Sequence, residues 1–528
     1  MSEVETILIL LGVVAALTVV ARRLGVPYPI IMTVGGLALG LIPTLPRVVL
    51  PPDIVFLAVL PPILFSAAYL TSHRELQKYA QVISLLAIGL VLATTLVVGL
   101  VVHALVPEIG WAAAFALGAI VSPPDAVAAT SIARRLGLPR RIVTILEGES
   151  LVNDATALVA LRLAIAAAAT GTFSLAEAAG SFAVVTVGGV AIGLAIGWVA
   201  IQILSRLNDP PVEVLVSLLA PFAAWIPAEA VHVSGVLSVV SAGLLVGRAA
   251  PRVMSSDTRV LGSGVWQMAI FVVNGLVFVL IGLQLPTILD SLRADRSALE
   301  LIGLGAAVSL AVVAARLAWV FPGTYLPHWL SSRVRDRESA PSPQGVLIVG
   351  WAGMRGVVSL AAALALPLTV EGGAPFPGRD LLLFLTFAVI LATLVGQGLT
   401  LPWLIRRLGV GDDGSVEHEE IHAREGAVAS ALERLASLEH EWPTHRELID
   451  QMRLRFEHQT EHLDHDHDAQ AHETPHDQEW IEHTAIRQAV IDAQRVAVIE
   501  MRDRGHIGEE AMRRVERELD LEELRGEG

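Results

Sequence analysis

Cysteine is absent from the chain. Its absence excludes disulfides, thiolate metal centres and cysteine nucleophiles, and leaves the redox compartment unmarked. Charge is scarce too: Asp, Glu, Lys and Arg make up 17% of the 528 residues, below the roughly 25% of a soluble domain. No basic face accumulates anywhere along the sequence, which argues against nucleic acid as a partner. What is abundant is apolar. Hydrophobic residues fill 54% of positions and the mean hydropathy is +0.62. Such a chain cannot hide its apolar surface in one water-soluble core; it needs a lipid bilayer.

The charges that exist are unevenly placed. Residues 411–528 hold 31 of the 52 acidic residues and 13 of the 37 Lys and Arg, so an acidic tail follows a near-neutral region. The first apolar run is preceded by Glu3 and Glu5 and followed by Arg22 and Arg23, the reverse of a signal peptide. It reads as a retained helix with its N-terminus outside. A bilayer-crossing helix needs about 20 mostly apolar residues. Thirteen stretches qualify, over 4–21, 28–44, 53–70, 79–106, 111–133, 141–169, 174–204, 211–228, 232–248, 264–285, 299–325, 344–369 and 380–405. With alternate loops taken as cytoplasmic, seventeen Lys and Arg fall on one side and four on the other. That asymmetry predicts thirteen crossings with the C-terminus inside.

Two stretches carry helix-breaking sequence. The fifth contains Ser122-Pro123-Pro124-Asp125, where two adjacent prolines remove two backbone donors. The twelfth contains Gly350-Trp351-Ala352-Gly353-Met354-Arg355-Gly356. Broken backbone at membrane depth is tolerated only against protein or a wet cavity. The breaks lie seven stretches apart, and an odd offset inverts orientation. Stretches 1–6 and 8–13 therefore read as inverted repeats with the seventh as linker, a pattern that points to a transport site.

The stretches hold few charges: Asp125, Glu147, Glu149, Asp154, Arg162, Arg316 and Arg355 are the seven that stand out. Each is costly at mid-bilayer, by roughly 3 kcal/mol on insertion scales, and must face a cavity or a partner. The densest cluster is Glu147-Gly148-Glu149-Ser150-Leu151-Val152-Asn153-Asp154. Glu149 with Asn153, and Ser150 with Asp154, are i,i+4 neighbours, predicting one polar stripe of four. Its oxygens suit a hard cation such as Na⁺ better than a transition metal. A carboxylate in a half-wet cavity holds a proton or a cation in competition, which couples the two fluxes. Asp154 is the expected group, with Asp125 as a second acidic contact. Asp125 near positive helix ends and Arg355 near negative ones would neutralise half-helix dipoles. Glu149 has an alternative role as ion-pair partner of Arg316, whereas Arg162 has no evident partner.

Three segments carry a resemblance to a known family. They are Ser122-Pro123-Pro124-Asp125-Ala126-Val127-Ala128, Leu146-Glu147-Gly148-Glu149-Ser150-Leu151-Val152-Asn153-Asp154-Ala155 and Gly353-Met354-Arg355-Gly356-Val357-Val358-Ser359. Over roughly 1–410 the chain resembles the monovalent cation:proton antiporters, in the branch of bacterial sodium/proton exchangers. The resemblance implies an all-α homodimer in the inner cell membrane, with thirteen helices per protomer and two crossed interrupted helices. It also implies a dimerisation part, about 1–72 and 174–290, and a mobile core part, about 79–170 and 299–408. It implies Asp154 as the ion- and proton-binding carboxylate and Asn153 as its partner, with Ser150 and Asp125 at the ion shell. Glu149 with Arg316, and Arg355, would be core charges. An Asn-Asp pair is similar to the branch that exchanges one cation per proton, so electroneutral Na⁺/H⁺ antiport is expected, with K⁺/H⁺ antiport as the alternative. No cofactor is implied beyond the transported Na⁺ and H⁺. The chain departs from many bacterial relatives at Pro124, where they carry threonine, so a hydroxyl ligand is missing.

Residues 411–528 hold twelve of the sixteen histidines. Apolar spacing predicts helices over 425–463 and 482–525. Between them, alternating His and Asp around His465 and His467 reads as a solvated acidic linker, with metal binding or pH sensing as the alternative. Two other functions fit the sequence less well. An intramembrane aspartyl protease with Asp125 and Asp154 as dyad lacks its Gly-x-Gly-Asp and Pro-Ala-Leu sequences. A receptor does not account for two broken helices with buried charges of both signs.

Overall fold

The computed structural model describes residues 3–42, 54–170, 174–292, 296–330, 341–370, 374–412, 414–466 and 475–504, with 506, 511–512, 515–516, 518–519 and 522–523. These residues form two compact units, Met1–Ser415 and Val416–Gly528. Both are helical. The only extended pairing among the described residues is an isolated bridge between Thr369 and Pro375.

Each of the thirteen apolar stretches contains helix among its described residues. In chain order the first unit contains α1 (Glu3–Leu24), α2 (Tyr28–Gly40), α3 (Val55–Leu70) and α4 (His73–Leu105). The fifth stretch is two helices, α5 (Gly110–Val121) and α6 (Ala126–Arg135). There follow α7 (Arg140–Thr170), α8 (Leu175–Leu204), α9 (Pro210–Ala230), α10 (Gly235–Val253), α11 (Ser256–Leu292) and α12 (Ala298–Leu330). The twelfth stretch is again two helices, α13 (Pro343–Trp351) and α14 (Val357–Leu364), and α15 runs over Arg379–Leu408. Among the described residues nine helices are long and apolar enough to cross a bilayer, and three apolar helices are shorter. Helix ends follow local chemistry. Ser72, Asp209, Ser234 and Ser342 cap their helices by accepting backbone N–H groups, while Arg22–Arg23, Arg134–Arg135 and Arg406–Arg407 sit in last turns, where the helix dipole favours cations.

Packing relies on close approach of backbones, since lipid supplies no hydrophobic drive between helices. The α2 helix lies along α11, and a Cβ added at Gly282 would sit 2.2 Å from the Thr33 carbonyl oxygen. A Cβ at Gly193 of α8 would likewise lie 2.1 Å from the Ser238 oxygen of α10. Two buried apolar clusters result. One gathers side chains from α1 to α7 and α11 to α15, the other from α3 and α7 to α10.

Two readings of the sequence need correction. The seven charges singled out in the stretches omit Glu213, which lies in the first turn of α9 and is only 1% exposed. Arg162 does have a partner, the Glu229 carboxylate at 2.9 Å, just past the eighth stretch.

In the second unit the helix expected over 425–463 is two, α16 (Ser415–Glu441) and α17 (Arg446–Asp466). Pro443 opens the turn between them, and a proline disfavours helical geometry in the residue before it. Glu439 accepts from Arg446 at 2.8 Å and Arg453 at 3.0 Å, joining the two helices. The hydrogen bond from Arg453 is the main cause that holds this carboxyl below its usual range. That contribution is present above the carboxyl's unfolded pKa and is lost as pH falls through its lowered folded value. A third helix, α18, spans Pro475–Asp503. His465 lies on α17 and His467 lies outside the described residues. Among the described residues no three His, Asp or Glu side chains gather to hold a metal ion.

Gly282→Val should separate α2 from α11 and lower both monodisperse yield and thermal midpoint in detergent. Gly303→Ala, at a position with nothing within 4 Å, should leave both unchanged.

Candidate functional site

The two breaks meet, and each completes the other's backbone. α5 stops at Val121, and Asp125 caps α6 by accepting the Val127 N–H at 2.8 Å. The same carboxylate accepts backbone N–H groups of Ala128 and of Val357, so it faces the N-terminal ends of both α6 and α14. The Asp125 N–H in turn donates to the Met354 carbonyl at 2.6 Å, bonding one break directly to the other. Gly356 is required at this crossing: a Cβ there would fall 1.8 Å from Asp125 Oδ2.

Arg355 serves the opposite polarity. It is fully buried, and its Nε donates to the Val121 carbonyl at 3.0 Å, its Nη2 to Ser122 at 3.4 Å and its Nη1 to Gly353. Those carbonyls belong to the last turn of α5 and to the second break, where helix ends leave acceptors without partners. The Arg355 N–H is taken by Thr393 Oγ1 at 3.0 Å, on a π-helical turn of α15. Asn153 Nδ2 reaches the Pro124 carbonyl at 3.4 Å. These bonds satisfy backbone groups that the two breaks leave without helical partners.

Arg316 of α12 is equally buried. It holds Glu149 in a fork, Nη1 to Oε1 at 2.5 Å and Nη2 to Oε2 at 2.9 Å, and also donates to the Val349 carbonyl at 3.0 Å. A bidentate Arg–carboxylate pair with a further acceptor is the geometry in which buried charges are tolerated.

Beside this crossing lies a cavity of about 310 Å³ whose lining includes Asp125, Ser150, Asp154, Glu147, Arg134 and Gly356. Asp154 is 4% exposed and, among the described residues, makes no ion pair. It lies close enough to Asp125 for the two carboxylates to sense each other's charge. The cavity extends to the Arg134–Glu147 pair, 2.6 Å apart, where the Arg134 side chain is 62% exposed. It therefore reaches solvent on the side of the Arg-rich loops. A second cavity, of about 420 Å³, adjoins it through Tyr28, Ser66, Leu70 and Ile270, but no carboxylate lines it.

The expected stripe of four on α7 divides. Ser150 and Asp154 line the cavity, while Glu149 and Asn153 turn into the protein, each without exposure. Neighbouring residues on a helix point about 100° apart, so an i,i+4 pair and the pair one residue before it face different directions. Tyr28, Asn274 and Ser359 also line the cavity, and none of the three was singled out in the sequence. Only Ser359 carries a signal, as the last residue of the Gly353-Met354-Arg355-Gly356-Val357-Val358-Ser359 segment.

Comparison with known proteins places this geometry. The model of a family described as "Sodium/hydrogen exchanger, transmembrane" matches residues 7–407. The chain belongs to the sodium/hydrogen exchanger family. An "Uncharacterized Na(+)/H(+) exchanger" of Mycobacterium tuberculosis is 34% identical over 525 residues, covering 98% of this chain and 96% of that protein. The "Sodium, potassium, lithium and rubidium/H(+) antiporter" of Bacillus subtilis is 34% identical over 411 residues, 75% of this chain and 61% of the relative. The sodium proton antiporter MjNhaP1 of Methanocaldococcus jannaschii shares the fold, with a TM-score of 0.61 at 19% identity over 77% of this chain and 98% of that one.

Breaking the buried fork from one side strands a charge, at a cost of about 3–5 kcal/mol. Glu149→Leu and Arg316→Met should each lower the thermal midpoint in detergent sharply. The double variant should melt above either single one, which a double-mutant cycle by thermal scan will test.

Proposed function

We propose that this exchanger moves Na⁺ against H⁺ without net charge, with Asp154 as the group the two ions share. One observation carries the reading: Asp154 lines a solvent-reaching cavity while the two fully buried arginines of the unit are engaged elsewhere. Arg316 is held by Glu149, and Arg355 is held by carbonyls. The carboxylate is therefore left to bind a proton or a cation.

The chemistry follows from competition. Burial disfavours a bare carboxylate, so the group takes either H⁺ or a metal cation before the site reorganises. Binding one ion requires release of the other, and alternate exposure to the two sides makes the exchange obligatory. Asp125 is a weaker ligand candidate because backbone N–H groups of two helices already occupy its oxygens. Ser150 adds a hydroxyl on the same wall. The Asp125 charge is balanced by the helix ends it faces, so the neutral transport state carries one H⁺ or one Na⁺ at Asp154. Thirteen crossings and a cytoplasmic tail, supported by the asymmetry of loop arginines and lysines, complete the proposal, together with the homodimer and inner-membrane location that the family resemblance implies.

K⁺/H⁺ exchange is the second reading. The Bacillus relatives are named for sodium, potassium, lithium and rubidium, and Pro124 offers a backbone carbonyl in place of a hydroxyl.

Purified full-length protein in liposomes with an internal pH dye should show Na⁺-dependent proton movement that is unchanged when the membrane potential is clamped at different values. Asp154→Asn should abolish it, and retained exchange in that variant would remove Asp154 from the central role. A rate that follows the clamped potential would overturn electroneutrality alone.

A further inference from the structure

Most polar groups at the cavity come from the crossing itself, from the first break and from α6, α7 and α14. Asn274 does not. It lies on α11, the helix sutured to α2 by Gly282, and it lines the same cavity as Asp125, Ser150 and Asp154. Its side chain is 2% exposed, and its Oδ1 has no hydrogen-bond partner among the described residues. A buried carbonyl oxygen left unpaired is costly, and native proteins keep such a group where something else satisfies it. The unpaired Oδ1 of Asn153 is no substitute, because Asn153 does not line the cavity.

The surroundings hold this amide in place. The Tyr28 hydroxyl engages the Asn274 side chain and lies near enough to Asp125 to sense its charge. The Tyr28 ring is itself packed against Phe271, with centroids 6.2 Å apart. An oxygen held this way at the same cavity, on a helix other than those of the aspartates, has a definite use. Hard cations take carboxylate and neutral carbonyl oxygens together, and the number and spacing of the neutral ones tune selectivity without changing the charge of the site.

We propose that the Asn274 side-chain carbonyl, positioned by Tyr28, is a ligand of the transported cation and sets its size preference. The proposal rests on the exchange reading above. It separates the two substrates, because an amide oxygen binds a metal cation but does not take up a proton near neutral pH. Loss of Asn274 should thus weaken the cation and leave the proton's own binding in place.

The test uses full-length protein in liposomes, with apparent KM measured separately for Li⁺, Na⁺ and K⁺ over a pH series. Asn274→Leu keeps the volume and removes the oxygen. It should raise the KM for Na⁺ about tenfold, the scale of one lost contact to a charged partner. It should also alter the Li⁺:Na⁺:K⁺ ratios and raise KM more than it lowers kcat. The proton competition constant, extrapolated to zero cation, should stay in place. Asn274→Ser restores an oxygen and should recover part of the Na⁺ affinity, and Tyr28→Phe should shift the ratios in the same direction as Asn274→Leu. These two variants decide the matter if Asn274→Leu does not fold. Wild-type ratios in the folded variants would overturn the role of Asn274 alone. Absence of exchange in the wild type, or exchange retained by Asp154→Asn, would overturn the reading beneath it.

Discussion

The hydrogen bond from Asp125 N–H to the Met354 carbonyl is the point on which the rest of the transport unit depends. Two helices have been interrupted at membrane depth, and neither can satisfy its own backbone. Joined there, they exchange partners. The Asp125 carboxylate takes N–H groups from the starts of α6 and α14, and the Arg355 guanidinium gives its N–H groups to carbonyls at the end of α5 and in the second break. Each charge thereby faces helix termini of opposite sign, where backbone dipoles substitute for water. Neither residue needs the other as an ion-pair partner.

This arrangement explains why a third charge can be left uncommitted. Arg355 is held by backbone carbonyls and makes no ion pair with Asp154. Arg316 is instead claimed by Glu149 from the adjacent face of α7. The hundred-degree turn between successive helix positions thus does two jobs within one cluster. Glu149 and Asn153 secure the protein interior, and Ser150 and Asp154 face the cavity.

How much of this is visible in the sequence varies with the range of the interaction. Helical stretches and their two interruptions follow from local composition, because prolines and glycines act on their own backbone. The resemblance motifs locate the charged residues for the same reason. The Arg162–Glu229 partnership, across 67 positions, is set by packing that no periodicity encodes. The Arg316–Glu149 pair, across 167, is legible because both are rare charges in apolar stretches and the resemblance joins them. Glu213 escaped because it sits near the end of its stretch, where an acidic residue reads as an ordinary first-turn charge. Asn274 and Tyr28 escaped because a single amide or phenol in a long apolar helix carries no pattern at all. In the second unit, Pro443 was the signal for a break, outweighed by the apolar spacing on either side of it.

The cavity wall also constrains how any rearrangement proceeds. On the crossing side the polar groups are tied by directional bonds among α5, α6, α7, α13, α14 and α15. The lining from α3 and α11 is largely Leu60, Ile63, Leu64, Ala67 and Ile270, whose contacts have no preferred direction. Sliding along an apolar surface exchanges one set of dispersion contacts for another, whereas opening the crossing would strand several buried carbonyls and two arginines at once. Movement that exposes Asp154 to the far side is therefore cheapest if the crossing travels intact past α3 and α11. The crossing must then leave or meet Asn274 as it goes, because that residue stands on the wall that does not travel with it.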